Sequence, residues 1–313
     1  MKPESSLIHR RSFLKSAGPF ALCLPIIARG QNPRERGGFT EADIPFARGE
    51  LLKQVNTNRA RYNLSQLQLD DLASQVATLH ARDMVEHAFL SHWGSDGQKS
   101  YHRYCLAGGT GSVLENVSAA ENIESVTSSG VLSELYERHE SMLNETPPND
   151  GHRQTILFPH HTHIGFGIAL RDRSLRLVEL YLARHLQLET FEKQPKPGSS
   201  LRFTGRVLNQ GQLLYEVILF HEPIPTPPDL AWLRERRSVS LPAPYKVLRR
   251  RAPPGTQYVA GGTGEFDCDA SGKFHVRVKL NVKKPGIYTM VFWLRRFPAD
   301  PGFAGAEVCV LCC

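Results

Sequence analysis

The sequence lacks several features that would assign it to a class directly. Its N-terminal apolar stretch, residues 17–27, is shorter than the ~20 residues of a membrane-spanning helix and is broken by two prolines. The composition, 41% hydrophobic and 22% charged, is typical neither of a disordered nor of a fibrous chain. A serine-nucleophile motif is also absent, because the adjacent Ser91 and His92 do not by themselves indicate a catalytic triad. We therefore expect a folded globular protein without a membrane span.

Positive charge is not in large excess either. The formal net charge is +7, but the first thirty residues hold five lysines and arginines and only one acidic residue. The rest of the chain therefore carries +3, which gives no reason to expect a nucleic-acid partner.

The N-terminal segment has the pattern of an export signal. Arg10 and Arg11 precede Ser-Phe-Leu-Lys, then comes the apolar stretch, and Ala28-Arg29-Gly30 provides small residues for cleavage. This arrangement predicts a twin-arginine-type signal peptide at residues 1–30 and a periplasmic or extracellular protein. A lipid anchor on Cys23 is not expected, because Leu22 occupies a position where a small residue is required.

Six cysteines are present, and five follow residue 30: Cys105, Cys268, Cys309, Cys312 and Cys313. Export would permit disulfides, for example between Cys268 and a cysteine of the C-terminal tail, but spacing does not decide the pairing. The tail is a poor candidate for a metal site because it lacks a second spaced Cys/His pair.

The periodicity of apolar residues divides the remaining chain into two parts. Residues 31–46 are polar and predict a linker. Helical spacing then predicts three helices, at residues 47–62, about 70–87 and 130–144. Two strands are predicted after them, at residues 164–170 and 175–183. A Pro/Gly/Ser-rich stretch predicts a second linker at residues 188–200. Beyond it, alternating patterns at residues 201–208, 213–221, 273–281, 286–294 and 306–311 predict a small antiparallel β-sandwich over residues 201–313. The strand at 286–294 is apolar on both faces and is expected to be central.

The stretch from Pro147 to Gly167 contains the strongest candidate functional residue. Two prolines end the third helix, an Asn-Asp-Gly turn follows, and His152 comes next. The later His160, His161 and His163 are expected to form an exposed entry to the following strand. His80, on the apolar face of the second helix, is expected to be a hydrogen-bonded core residue.

The first part of the chain resembles the CAP superfamily of cysteine-rich secretory, antigen-type and pathogenesis-related proteins, including bacterial secreted members. The resemblance covers the ordered set Asn58-Arg59-Ala60, Leu69 to Ala73, His80 to Met84, Ser91-His92, Glu115-Asn116 and Gly151 to Gly167. It implies an α+β protein: a CAP-type α-β-α sandwich over residues 47–187, followed by the small β-sandwich.

The resemblance also implies a cleft that holds two histidines and two glutamates. These are His92, Glu115, His152 and a glutamate from the region of the third helix. Glu140 is favoured because it borders the apolar helix face, whereas Glu145 would point away on a regular helix, and Glu137 further still. Glu121, in a second Glu-Asn step, is the alternative to Glu115.

Two imidazoles beside a carboxylate could bind a divalent metal such as zinc, with His92 and His152 as ligands. The first hypothesis is an exported protein that binds a small ligand, a lipid or an envelope component and is not an enzyme. The alternative is a metal-dependent hydrolase that acts on cell-envelope material.

Overall fold

The computed structural model describes residues 37–235, 238–259, 261–280, 282, 284–297 and 299–312. The predicted signal peptide at residues 1–30 and most of the predicted first linker lie outside the described residues, as does Cys313. Residues 37–46 do not form a free linker: Gly38 bridges Thr127, and a short 3-10 helix, Glu41–Asp43, leads into the first long helix.

The N-terminal part combines five helices with one four-stranded sheet. Its helices are α1 (Ile44–Arg61), α2 (Asp71–Glu86), α3 (Ser100–Leu106), α4 (Ser128–Leu143) and α5 (Gly151–Ile156), and its strands are β1 (Gln68–Leu69), β2 (Ser112–Ala120), β3 (His163–Arg171) and β4 (Ser174–Ala183). The strand order is β1-β3-β4-β2, so β4 is internal and β2 lies at an edge. The predicted helices and strands are confirmed, whereas α3, α5, β1 and β2 are additional elements.

The sheet lies between two helical layers because alternate residues of its strands face opposite sides. Leu177 and Tyr181 of β4 share a core with α1 and α4, whereas Val178 and Leu180 share a core with α2. Helix α2 approaches β3 closely. A Cβ added at Gly167 would lie 2.1 Å from the Ala77 carbonyl oxygen, so only glycine permits this contact.

The C-terminal part contains two further four-stranded sheets and one helix. The new elements are β5 (Leu186–Leu188), β6 (Ser200–Val207), β7 (Leu213–Glu222), α6 (Leu230–Glu235), β8 (Lys246–Arg249), β9 (Asp267–Cys268), β10 (Lys273–Lys279), β11 (Gly286–Arg295) and β12 (Phe303–Cys312). The strand orders are β5-β6-β10-β9 and β12-β11-β7-β8, and all pairs are antiparallel. The two sheets share one hydrophobic core.

Strand β11 is covered on both faces, as its sequence predicts. Tyr288 and Phe292 lie in the core between the two C-terminal sheets. Ile287 instead joins the core that contains α3 of the N-terminal part. The outer face of this sheet therefore packs against the N-terminal part, and this contact positions the functional site described below.

The structure also bears on the expected disulfide and on the expected absence of a membrane span. Among the cysteines that the structure describes, Cys105, Cys268, Cys309 and Cys312 are buried and form no disulfide, so the suggested bridge from Cys268 to Cys309 or Cys312 is not present. No helix within the described ranges has the length and apolar composition of a bilayer-spanning segment.

Candidate functional site

A cavity of about 650 Å³ lies where the N-terminal sheet meets the C-terminal part of the chain. Three of the four predicted residues, His92, Glu115 and His152, line it. The fourth side chain is Glu145 rather than Glu140. The remaining wall comes from residues 238–241 and from the outer face of the sheet that contains β11 and β12.

His92 and Glu115 form the first of two histidine–carboxylate pairs. His92 follows α2, and its Nδ1 lies 3.0 Å from Oε1 of Glu115 on β2. The other carboxylate oxygen of Glu115 accepts a 2.7 Å hydrogen bond from Arg103 on α3. Arg103 also donates to the His92 carbonyl oxygen at 3.1 Å. The guanidinium therefore holds both members of the pair in place.

Glu115 is an ionised carboxylate in this environment. Its side chain is only 2% exposed, and burial alone would raise its pKa. The charges of Arg103 and His80 and the hydrogen bond from His92 outweigh burial and lower the pKa to about 2. An ionised acceptor on Nδ1 fixes the His92 tautomer with its proton on Nδ1, and Nε2 then carries the lone pair.

His152 and Glu145 form the second pair. The backbone N–H of His152 donates to Oε2 of Glu145 at 3.0 Å, and the ring Nδ1 bonds to Oε1 of the same carboxylate. Asn116, the residue after Glu115, donates to the His152 carbonyl oxygen at 3.2 Å. The His152 side chain is 34% exposed and that of Glu145 is 25% exposed, so this pair is more accessible than the first.

The expectation for Glu140 is corrected by its contacts. Its Oε1 accepts hydrogen bonds of 2.6 Å from both Gln54 and Asn58 on α1, and among the described residues it is not part of the cavity wall. Helix α4 ends at Leu143. Glu145 therefore does not follow the helical geometry that would have directed it away, and its carboxylate turns back to the N-terminus of α5.

The other candidate residues lie outside the cavity. Glu121, the alternative to Glu115, forms a 2.7 Å ion pair with Arg176. His80 is buried and its Nε2 donates to the Ser91 carbonyl oxygen at 2.8 Å, which confirms its prediction as a core residue. The prediction of an exposed histidine entry is wrong for His161. Its side chain packs beside Tyr181, and the residue is 3% exposed.

The C-terminal part contributes cavity residues that motif reasoning did not find. Trp293 on β11, Glu307 on β12 and Leu241 lie in the wall. Ser238 and Ser240 of this wall are bound to the N-terminal part, because their carbonyl oxygens accept hydrogen bonds of 3.1 Å from Trp93 and Lys99, respectively. No local sequence signal marks these residues, since they reach the cavity only through tertiary packing.

A buried ionic cluster secures this arrangement from behind the cavity wall. The Glu222 carboxylate on β7 binds the Lys99 ammonium, accepts from Tyr101 at 2.8 Å and lies 3.0 Å from Nε2 of His102. Burial opposes ionisation of Glu222, but His102, Lys99 and Tyr101 together lower its pKa to about 2. The carboxylate thus fixes the C-terminal sheet to α3.

Residues 52–181 match the family model described as the Cysteine-rich secretory protein family, CAP. This part of the chain belongs to the CAP family. The match covers less than half of the 313 residues and ends before the C-terminal sheets begin. The CAP domain therefore supplies both histidine–carboxylate pairs, and the C-terminal part supplies the rest of the cavity wall.

Two of the solved structures that match part of the chain are bacterial proteins. An outer surface protein from Borrelia burgdorferi is 18% identical, with a TM-score of 0.36, over 47% of this chain and 98% of its own. An extracellular protein containing an SCP domain from Bacillus anthracis is 23% identical, with a TM-score of 0.35, over 47% of this chain and 44% of its own. No functionally curated protein is significantly similar in sequence.

Proposed function

We propose that this protein is an exported CAP-domain protein that binds a small ligand in the cavity and is not an enzyme. The observation that supports this proposal is that two histidine–carboxylate pairs line one cavity of about 650 Å³ whose opposite wall comes from the C-terminal sheet. A cavity of this size suits a compact organic ligand.

The lining favours an amphipathic ligand, such as a lipid or another envelope component. Val113, Leu241, Val291 and Trp293 provide apolar surface beside the imidazoles. Pockets with mostly apolar walls and a few converging polar groups bind ligands by burying apolar area and orient them through hydrogen bonds. The imidazoles and the Asn149 amide at the cavity wall are suited to a hydroxyl or carbonyl group.

Zinc binding is a secondary part of the proposal. In both histidines the carboxylate occupies Nδ1, which is the usual outer-shell arrangement of a histidine that binds a metal through Nε2. Yet the described part of the chain contains no group of three or more His, Cys, Asp or Glu residues placed to hold a metal. His92 and His152 would therefore supply only two protein ligands. A bound zinc would supply Lewis-acid polarisation of a ligand oxygen.

Tryptophan fluorescence can test the binding proposal, because Trp293 lies in the cavity wall. Screening of the full chain against lipid extracts and envelope components should reveal a ligand that changes the emission. The variants His92→Ala and His152→Ala should weaken its binding about tenfold or more, whereas His275→Ala, on the exposed face of β10, should not. Equal affinities in all four proteins would contradict the proposal.

Zinc is tested separately by thermal unfolding. A ligand at 100 times its Kd stabilises the folded state by about 2.7 kcal/mol. A zinc-dependent rise in Tm that disappears in His152→Ala would support the metal site, and an unchanged Tm at millimolar zinc would contradict it.

The alternative function is a metal-dependent hydrolase of cell-envelope material, and the carboxylates paired with the two imidazoles favour it chemically. Envelope-derived peptides and esters, assayed with zinc, distinguish the two functions. Turnover that His152→Ala abolishes would establish the hydrolase, whereas equal background rates in both proteins would leave the binding function.

Two organisational proposals accompany this function. We propose that residues 1–30 direct export to the periplasm or the exterior. We also propose that residues 201–313 form a β-sandwich accessory domain behind a linker at 188–200. Mass determination of the protein recovered from the cell exterior and from the periplasm tests the first, and limited proteolysis within residues 188–200 tests the second.

A further inference from the structure

Cys105 and Cys309 lie opposite each other in the contact between the CAP domain and the C-terminal sheet. Cys105 is on helix α3 and Cys309 is on strand β12. The two residues are 4% and 3% exposed and belong to the same hydrophobic core. The cavity described above does not use either thiol.

The contacts of the two thiols are reciprocal. The Cys105 thiol donates to the Glu307 carbonyl oxygen at 3.5 Å, and Glu307 precedes Cys309 by two residues on β12. The Cys309 thiol donates to the Tyr101 carbonyl oxygen at 3.8 Å, and Tyr101 precedes Cys105 by one helical turn. Each sulfur therefore contacts the backbone of the other cysteine's own element.

We propose that Cys105 and Cys309 are a disulfide-forming pair that covalently joins the CAP domain to the C-terminal sheet. In the structure both are thiols. Oxidation by a disulfide reagent or a thiol-oxidising protein of an exported compartment removes two electrons and two protons from the pair. One cysteine thiolate attacks the oxidant's disulfide and releases one thiol, and the second cysteine then displaces the other thiol as the Cys105–Cys309 bond forms.

The other described cysteines are placed differently. Cys312 lies in the core between the two C-terminal sheets, on the opposite side of β12 from Cys309. Cys268 is on β9 in that same core, and its thiol lies 3.9 Å from the Asp269 carbonyl oxygen. Neither residue shares the core that contains Cys105, so the structure selects Cys309 as the partner.

Burial determines when the bond forms. Desolvation, together with the neighbouring Cys309 thiol, raises the pKa of Cys105 well above the ordinary value. Since the thiolate is the reactive species, exchange in the closed native state is slow. We therefore expect oxidation during folding, or when the contact between α3 and β12 opens. Once formed, the bond resists reduction because the same burial excludes reductants.

The cross-link would also fix the width of the cavity. Tyr101 of α3 and both Ala304 and Glu307 of β12 line it, and the proposed bond connects these two elements. The oxidised protein is therefore expected to hold the two cavity walls more rigidly than the reduced protein. This inference about the thiols does not depend on which ligand the cavity binds.

The test is refolding of the full chain in a mixture of oxidised and reduced glutathione, followed by alkylation in denaturant and peptide mapping without reduction. Wild type should lose two alkylatable thiols and yield one linked peptide pair that contains Cys105 and Cys309. Cys105→Ser and Cys309→Ser should each abolish this pair, whereas Cys268→Ser should retain it. Circular dichroism verifies that the variants fold. If a variant does not fold, the peptide map of the wild type alone shows whether Cys105 and Cys309 are linked.

A second readout is stability towards urea. The bond would close a loop of about 200 residues, so the oxidised wild type should have a higher urea midpoint than the reduced protein, and Cys105→Ala should remove this difference. Folded wild type without the Cys105–Cys309 peptide would overturn the proposal. A Cys105 link to another cysteine at equal abundance would overturn it as well.

Discussion

Glu307 allows a quantitative prediction because its carboxyl group is buried at the cavity without adequate partners. The residue is 4% exposed, and its Oε2 accepts only a long hydrogen bond, 3.4 Å, from the Val113 N–H. Its Oε1 has no hydrogen-bond partner among the described residues. Burial raises the pKa of Glu307, the Val113 N–H opposes this, and the charge of Glu222 adds to it, so that the pKa is about 8.

The sign of the pH dependence follows from these values. The unfolded chain ionises Glu307 near its ordinary pKa of 4.5, whereas the folded protein keeps it neutral up to about pH 8. Neutral Glu307 therefore contributes its full stabilisation to the free energy of unfolding below pH 4.5, and this contribution is lost as the pH rises through 8. The free energy of unfolding decreases by about 1.4 kcal/mol per pH unit in between, or about 3 kcal/mol by pH 7.

Glu307→Gln should remove this dependence, because the amide has a similar shape and does not ionise. The new amide NH₂ is expected to cost about 1–3 kcal/mol at every pH if it lacks an acceptor. The variant should therefore be less stable than wild type near pH 4. Between pH 5 and pH 7 its free energy of unfolding, relative to that of wild type, should increase by about 3 kcal/mol.

Urea unfolding at several pH values between 5 and 8 measures this gain, with Glu189→Gln, an exposed residue, as the control. Other ionisable groups cancel in the difference between wild type and Glu307→Gln. A difference that stays constant with pH would refute the reasoning. It would mean that Glu307 is ionised in the folded protein and is solvated through the cavity.

Three further predictions concern the site and its scaffold. Glu115→Gln should lower the free energy of unfolding by about 3 kcal/mol at pH 6, because ionised Glu115 stabilises the wild type fully above pH 4.5 and this stabilisation is lost as the pH falls through about 2. The variant should therefore lose less stability than wild type between pH 6 and pH 3, as measured by urea unfolding at the two pH values. Glu145→Gln should weaken zinc or ligand binding about tenfold, whereas Glu140→Gln should leave it unchanged, as measured by calorimetry. Gly167→Ala should cost about 1–3 kcal/mol or more, because its Cβ would overlap the Ala77 carbonyl oxygen; thermal unfolding measures the loss, and a neutral result would show that α2 can move away from β3.

Periodic patterns predict the long helices and strands because buried positions repeat regularly along such elements. Strand β11 is apolar at every position from Ile287 to Leu294 except one threonine, and both of its faces are covered in the structure. Helix α3 was not predicted, because seven residues between glycine-containing turns are too few for a helical period. Its Arg103, the cation that fixes Glu115, was therefore missed with it.

The choice between Glu140 and Glu145 failed for a different physical reason. Helical spacing predicts directions only inside a helix, and α4 ends at Leu143. Beyond that point the turn into α5 decides where Glu145 points, and its carboxylate receives both the backbone N–H and the ring nitrogen of His152. Family resemblance identified the type of residue required, but the structure was needed to select the position.

The two walls of the cavity differ in how they can be inferred, and this difference bears on function. His92, Glu115 and His152 lie within the matched CAP segment, so a motif comparison finds them. Trp293, Glu307 and residues 238–241 are outside that segment and reach the cavity only because β11, β12 and the Glu222 cluster pack against α3. A ligand that contacts both walls is therefore selected partly by residues that the CAP domain does not specify. Replacing Trp293 with alanine should change which ligands bind while leaving the two histidine–carboxylate pairs intact. The same loss of affinity for every ligand would instead assign recognition to the CAP wall alone.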